Sequence, residues 1–388
     1  MTVNYHSNNS LKGTSELLSA GGHSSSSTIR SPETMPSHKR QKSECVHPLS
    51  QVVFVKTYKT ASTTISSILF RYGISNNLSF VLPSKHNPGW FSRTVRFNSK
   101  MKKSLLPPLP GSNYSILASH VPFNKKSIDD VIPHAKYITI LRHPVSAYES
   151  IFGFFKIAEY VNIDHNATQD AFKIFLSNSD KYLKRVKDPY HKTLLRNRQI
   201  FDIGLDFEDY DNATRVGYVI KQASKELDLV MITEYFDESL ILLKKLLCWK
   251  YEDIFYIHQN KRNDRLRVEI EDWERQRILE LNAADFKLYQ HFNYTFWRKV
   301  KAYGPNFSKD LATFRRMLDN MHTECAGTGQ WHHIFLAEEA KGDGEWLQRG
   351  IKALDALCYI VFDKHKKKSG RCCNTSYSRQ EGIKRLYW

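Results

Sequence analysis

Two lysines and five aliphatic hydroxyls crowd into nine residues of this chain, KTYKTASTT at 56–64. Side chains of these types can neutralise and hydrogen-bond an anion with several oxygens. An apolar run, Val52 to Val55, precedes the segment, and Ile65, Ile68, Leu69 and Tyr72 follow it at helical spacing. Strand, polar loop, helix is the layout that aims backbone N–H groups and a helix N-terminus at a phosphate. The loop holds no glycine and does not fit G-x-x-x-x-G-K-[ST], so it is not an ordinary nucleotide triphosphatase loop.

A second stretch, KYITILRHPVSAYESIFGFF at 136–155, supplies a partner. Residues 137–141 read as a buried parallel strand. Arg142 stands at its carboxyl end, Pro144 opens a helix, and Ser150 follows two turns on. Open parallel sheets bind ligands beyond the carboxyl ends of their strands. Arg142 and Ser150 are therefore expected to reach the ligand held by Lys59, from a neighbouring strand.

These stretches resemble the paired signatures of sulfotransferases that use 3′-phosphoadenosine 5′-phosphosulfate (PAPS). KTASTT at 59–64 and LRHPVSAYES at 141–150 are most similar to the galactose-3-O-sulfotransferase family, which includes galactosylceramide (cerebroside) sulfotransferases. LASHVPF (117–123), LVMITEYFDESLILLKKLLCW (229–249) and LNAADFKLYQHFNYTFW (281–297) fit the same family, so the resemblance covers roughly residues 50–300. It implies a P-loop-like α/β sulfotransferase fold, with a central, mostly parallel sheet and helices on both faces. The reaction it implies moves a sulfuryl group from PAPS, as co-substrate, to the 3-hydroxyl of a terminal galactose on a glycolipid or glycoprotein glycan. The donor-binding residues would be Lys56, Thr57, Lys59, Thr60, Ala61, Ser62, Thr63 and Thr64 for the 5′-phosphosulfate, with Arg142 and Ser150 for the 3′-phosphate. Lys59 is expected beside the bridging oxygen. Planar Arg142 suits bidentate phosphate recognition. His143 stands where the family usually has Asp.

His120 is the expected general base. It ends an expected strand near the donor loop, imidazole titrates near neutrality, and S-H-V-P-F matches the family's catalytic histidine. Glu234 is read either as orienting His120 or a sugar hydroxyl, or as a helix-entry carboxylate. Lys261 and Arg262 are read as a basic patch on the donor or acceptor side. Trp90, Phe91, Phe123, Tyr148, Phe152 and Phe155 offer sugar-stacking rings, with core packing the better reading for most. No metal site emerges from the histidines, among them His86, His134 and the pair His332–His333.

The net charge of +17 favours anionic partners without choosing among them. Residues 1–50 contribute little, with five Lys/Arg against three Glu. Residues 1–48 read as a disordered Ser/Asn-rich segment, 49–362 as the sulfotransferase domain, and 363–388 as a basic mobile tail. Neither a transmembrane helix nor a signal peptide is read in the sequence. The family resemblance nevertheless implies the lumenal side of the Golgi and membrane association. Eight N-x-[ST] sequons (Asn8, Asn77, Asn113, Asn166, Asn212, Asn293, Asn306, Asn374) accord with a lumenal protein. The six cysteines, Cys45, Cys248, Cys325, Cys358, Cys372 and Cys373, show no metal-ligand spacing and read either as one or two disulfides in an oxidising lumen or as buried free thiols.

Along the chain, strands are expected near Phe80, over 114–120 and over 229–234. Helices are expected over 127–132, 145–160, 168–200, 238–247, 264–297 and 309–320, and residues 73–111 read as an irregular insertion. The 238–247 helix is expected to bury Leu240, Leu243, Leu246 and Leu247, and Leu266, Ile270, Trp273, Ile278, Leu281, Phe286 and Tyr289 carry the helical spacing over 264–297. Strands alternating with helices argue independently for a parallel sheet. Four competing readings remain: a uronyl 2-O-type glycosaminoglycan sulfotransferase, a nucleotide kinase or NTPase, an inactive relative, and a basic nucleic-acid-binding protein. No nucleic-acid-binding motif supports the last.

Overall fold

The computed structural model describes residues 47–83, 91–163, 168–257 and 269–326. Among these, five strands form one sheet: β1 (Val52–Val55), β2 (Ser79–Phe80), β3 (Tyr114–Leu117), β4 (Lys136–Leu141) and β5 (Leu229–Ile232). Their order is β2-β3-β1-β4-β5, and every pairing is parallel. Consecutive residues of β1 point to opposite faces, and all four are buried. Both faces are therefore covered, as parallel sheets require.

Helices make the crossovers, and among the described residues four more follow the last strand. They are α1 (Ser62–Ser75), α2 (Ser99–Lys102), α3 (Lys125–Asp129), α4 (Pro144–Phe154), α5 (Ile157–Tyr160), α6 (Thr168–Ser177), α7 (Ser179–Arg185), α8 (Pro189–Leu195), α9 (Arg198–Ile203), α10 (Ala213–Glu226), α11 (Phe236–Leu247), α12 (Asp272–Leu281), α13 (Ala283–Tyr303) and α14 (Phe307–Ala326). Ile65, Ile68, Leu69 and Tyr72 of α1 are all buried, so the helical face read from the sequence is the one that meets the sheet. At Gly73 an added Cβ would lie 2.5 Å from the Phe80 ring, which marks where α1 lies closest to β2.

The chain lays strands on one side of β1, then crosses to lay β4 and β5 on the other. The sheet order thus reverses at β1, and the crevice this opens lies at the carboxyl ends of the strands. The register sets Val53 against both Leu117 and Tyr137, and Leu141 against Ile232. The residues that follow β1, β3, β4 and β5 therefore gather at one edge.

Several expectations needed adjustment. The strand expected over 114–120 stops at Leu117, leaving His120 three residues beyond it. The 145–160 helix breaks between α4 and α5, where Lys156 takes a left-handed conformation (φ 50°). The single helix expected over 168–200 is α6 to α9, interrupted at Asn178, before Pro189 and by Asn197 at φ 49°. Residues 264–297 hold the separate helices α12 and α13, and Trp273 is 42% exposed rather than packed. Leu246 is only partly buried. Helix α10 was not foreseen, although Asn212 caps it and Val216, Val219 and Ala223 bury one face. Most of 1–48 and all of 363–388 lie outside the described residues, as do His86, Trp90, Lys261, Arg262, Leu266 and His332–His333. Among the described residues no helix is long and apolar enough to cross a membrane.

Candidate active site

The loop between β1 and α1 keeps its shape without glycine. Lys59 and Ala61 both adopt left-handed backbone, at φ 57° and 61°. Such a conformation costs roughly 1–2 kcal/mol per non-glycine residue, so surrounding bonds must impose it. The hydroxyls do this. Thr57 Oγ1 donates to the Ile140 carbonyl on β4 (2.5 Å), and Thr60 Oγ1 lies 2.7 Å from Thr57 Oγ1. Ser62 Oγ donates to the Thr57 carbonyl (2.6 Å). Thr233, just after β5, donates to the carbonyls of Thr60 (2.8 Å) and Leu141 (3.0 Å). Thr57, Thr60 and Ser62 are therefore buried braces, and their hydroxyls serve the loop itself. Thr63 is exposed at the start of α1.

The two lysines differ. Burial pushes the Lys56 ammonium down to about 8. Lys59 is half-buried, and its Nζ sits 3.5 Å from the centre of the Phe154 ring near the end of α4. Phe154 is 60% exposed. Ser150 stands four residues before Phe154, on the same helical face, so that face brings Ser150 towards Lys59.

Arg142 is fixed from two sides. Its backbone N–H and C=O pair with the Gln199 side chain (2.8 and 2.9 Å). Its guanidinium donates to the Lys59 carbonyl (3.2 Å). Gln199 in turn is held by Asp285 on α13, whose carboxylate accepts the N–H groups of Gln199 (3.1 Å) and Ile200 (2.7 Å). Burial raises Asp285 to about 7 despite those donors.

His143 caps α4. Its Nδ1 accepts the Val145 N–H (3.4 Å), a role a carboxylate could also fill. The backbone N–H of His143 donates to Glu234 Oε1 (2.9 Å), and Tyr289 donates to Glu234 Oε2 (3.3 Å). Of the two readings of Glu234, the structure supports the helix-entry carboxylate. Burial depresses His143, which keeps the ring in the accepting form.

His120 Nδ1 lies 3.2 Å from the Lys56 carbonyl. A carbonyl can only accept, so Nδ1 carries the proton and the lone pair of the neutral ring resides on Nε2. Burial, then Lys56, Arg198 and Arg93, hold the ring well below the ordinary histidine range, although the bond to Lys56 opposes them. His120 is therefore neutral at pH 7, with Nε2 able to accept a proton. Its ring packs on Tyr58 (centroids 4.3 Å, 31° between planes). The structure thus joins Lys56 to His120 and Lys59 to Arg142, with Ser150 on the helical face next to Lys59. Tyr58, Gln199 and Thr233 were not foreseen, because no local pattern marks their contacts across the fold. Phe123, Tyr148 and Phe152 are buried in the core, whereas Phe91 and Phe155 are only partly so. Among the described residues no group of three or more His, Cys, Asp or Glu is arranged to hold a metal ion.

Residues 13–341 match the family model described as galactose-3-O-sulfotransferase. The mouse (Mus musculus) galactosylceramide sulfotransferase is 33% identical over 79% of this chain and 71% of its own length. The mouse galactose-3-O-sulfotransferase 3 is also 33% identical, over 65% of this chain and 58% of its own. A sulfotransferase crystal structure from Alicyclobacillus acidocaldarius overlays with a TM-score of 0.34 at 15% identity, spanning 63% of this chain and 96% of that one.

Proposed function

Since the chain belongs to the galactose-3-O-sulfotransferase family, we propose that it transfers a sulfuryl group from PAPS to the 3-hydroxyl of a terminal galactose, on a galactosylceramide-like glycolipid or a glycoprotein glycan. One observation carries the reading: a donor loop with two lysines, an arginine bonded to that loop, and a neutral histidine bonded to its first residue.

The residues fit an anionic donor. Lys56, Lys59 and the start of α1 offer positive charge and N–H groups, and Arg142 offers a planar fork anchored at its backbone. PAPS, when bound, supplies the sulfuryl group and departs as the phosphate of PAP. Lys59 offsets charge gathering on the leaving oxygen. Arg142, with Ser150, holds the 3′-phosphate. His120 Nε2 takes the proton from the acceptor hydroxyl, while the Lys56 carbonyl fixes the tautomer. Catalysis here is chiefly positioning and electrostatics, by analogy with phosphoryl transfer.

A Golgi-lumenal, membrane-associated setting belongs to the same proposal. Cys248 is disulfide-bonded, which supports an oxidising compartment.

The test is transfer of ³⁵S from labelled PAPS to galactosylceramide, lactosylceramide, N-acetyllactosamine and desulfated heparan. Label at the galactose 3-position is expected, and His120→Ala should abolish it with PAP still bound. Label on heparan alone would move the acceptor to a uronic acid. The absence of both transfer and PAP binding would overturn the reading.

A further inference from the structure

Beneath the site lies a buried ion pair that the donor and acceptor roles leave unused. Arg198 and Asp202, both on α9, are each 1% exposed. Arg198 donates to both carboxylate oxygens (3.2 and 2.7 Å), to Thr193 Oγ1 (2.5 Å) and to the Arg93 carbonyl (3.0 Å). Buried pairs of this kind are weak evidence for stability, because desolvation offsets most of the attraction. A pair so fully enclosed therefore calls for another role, and its contacts point to one. The Arg198 guanidinium lies 3.9 Å from the centre of the Tyr58 ring, and Tyr58 in turn packs on His120. The backbone amide of Tyr58 also stabilises the Asp202 carboxylate. Tyr58 sits between Thr57 and Lys59, in the middle of the donor loop.

We propose that Arg198, Asp202 and Tyr58 are positioning residues, which hold the His120 ring in register with the donor loop. This rests on His120 being the base. The ion pair grips Tyr58 through its backbone and its ring, and Tyr58 presents a flat surface to the imidazole. Base and donor lysine are thus referenced to one fixed residue. The charged and titratable groups around the ring are Lys56 after β1, Tyr58 in the loop, Arg93 before α2, Tyr190 on α8, and Arg198 and Asp202 on α9. Of the groups acting on His120, the three cations lower its proton affinity, and Arg198 is the second of them in strength.

Two sets of variants test this. Tyr58→Leu removes the platform and keeps the ion pair, and Tyr58→Phe restores the ring alone. Tyr58→Leu should lower kcat about tenfold or more with the KM for PAPS within about twofold, and Tyr58→Phe should recover most of the loss. Arg198→Met/Asp202→Leu removes both charges together, the kind of replacement that buried pairs tolerate. In ¹³C-histidine-labelled protein, the resonance missing from His120→Ala reports the ring directly. Its titration should move up towards the ordinary histidine range in the double variant, and the acid limb of kcat/KM should follow. An unmoved His120 titration with kcat within about twofold, in a folded double variant, would overturn the proposal. So would a fully active Tyr58→Leu, which decides the matter if the double variant does not fold. Activity surviving in His120→Ala would instead sink the base assignment, which the labelled titration does not depend on.

Discussion

Binding of PAP should draw a proton from solution near pH 8, and Lys56 should be its destination. Burial has lowered this lysine from 10.5 to about 8, so at pH 8 about half of the free molecules carry it uncharged. An anionic ligand beside it favours the charged form and returns its pKa towards the ordinary value. Each binding event at pH 8 should then take up about half a proton. Titration calorimetry in two buffers of different ionisation enthalpy reads this number directly, and Lys56→Met should abolish it. The same burial weakens the fold. A shift from 10.5 to about 8 corresponds to at most about 3 kcal/mol, and residual exposure reduces it to about 1–3 kcal/mol. The folded pKa lies below the unfolded one, so the penalty is present in full below pH 8 and fades as pH rises from about 8 to 10.5. Lys56→Met should thus be more stable than the parent at pH 7, with the gap closing in alkali. No proton uptake at pH 8, or the same uptake in Lys56→Met, would refute the reasoning.

Arg142→Lys keeps the charge and loses the fork, and should weaken PAP about tenfold in a binding titration while the acceptor KM stays put. Thr57→Val removes the donor to the buried Ile140 carbonyl, leaves the Thr60 hydroxyl only its 3.5 Å bond to the backbone carbonyl at position 57, and should cost about 1–3 kcal/mol in urea unfolding. Gly73→Ala drives a methyl against the Phe80 ring and should cost about 1–3 kcal/mol in the same assay, with PAP affinity retained in the folded fraction.

The parts of the site that follow chain periodicity were legible in advance. The apolar run of β1, the spaced residues of α1, and the Arg-x-Pro at the end of β4 each carry a local signal, and each leads where it points. The hydroxyls of the loop misled in part. Side-chain type suggested phosphate ligands, yet Thr57, Thr60 and Ser62 turn inward, because a loop with two left-handed non-glycine residues needs internal bonds more than display. The ion pair beneath Tyr58 left no trace, since Tyr58 and Arg198 meet only through tertiary packing. The 168–200 region read as one helix because its composition is helical throughout. Its breaks fall at Asn178, over 186–188 before Pro189 and over 196–197, each too short to show in composition, and the last makes room for α9, whose N-terminus Asp285 holds.

The clamp that α13 places on α9 has a consequence for how the protein is made. On the ribosome the donor loop emerges early, directly after β1, but nothing can yet shape it. Its flanking strands, β3 and β4, must first leave the exit tunnel, and Arg142 then waits for Gln199. Gln199 waits for Asp285, near the start of α13. At typical synthesis rates of about 5–20 residues per second, the interval between Val52 and Asp285 is on the order of ten to fifty seconds. During that time a polar, basic loop stands unsupported on a nascent parallel sheet, whose long-range pairings close slowly. The donor loop is therefore expected to reach its final shape only after α13 has been delivered, and a pause in translation between α9 and α13 should prolong the interval in which it is exposed.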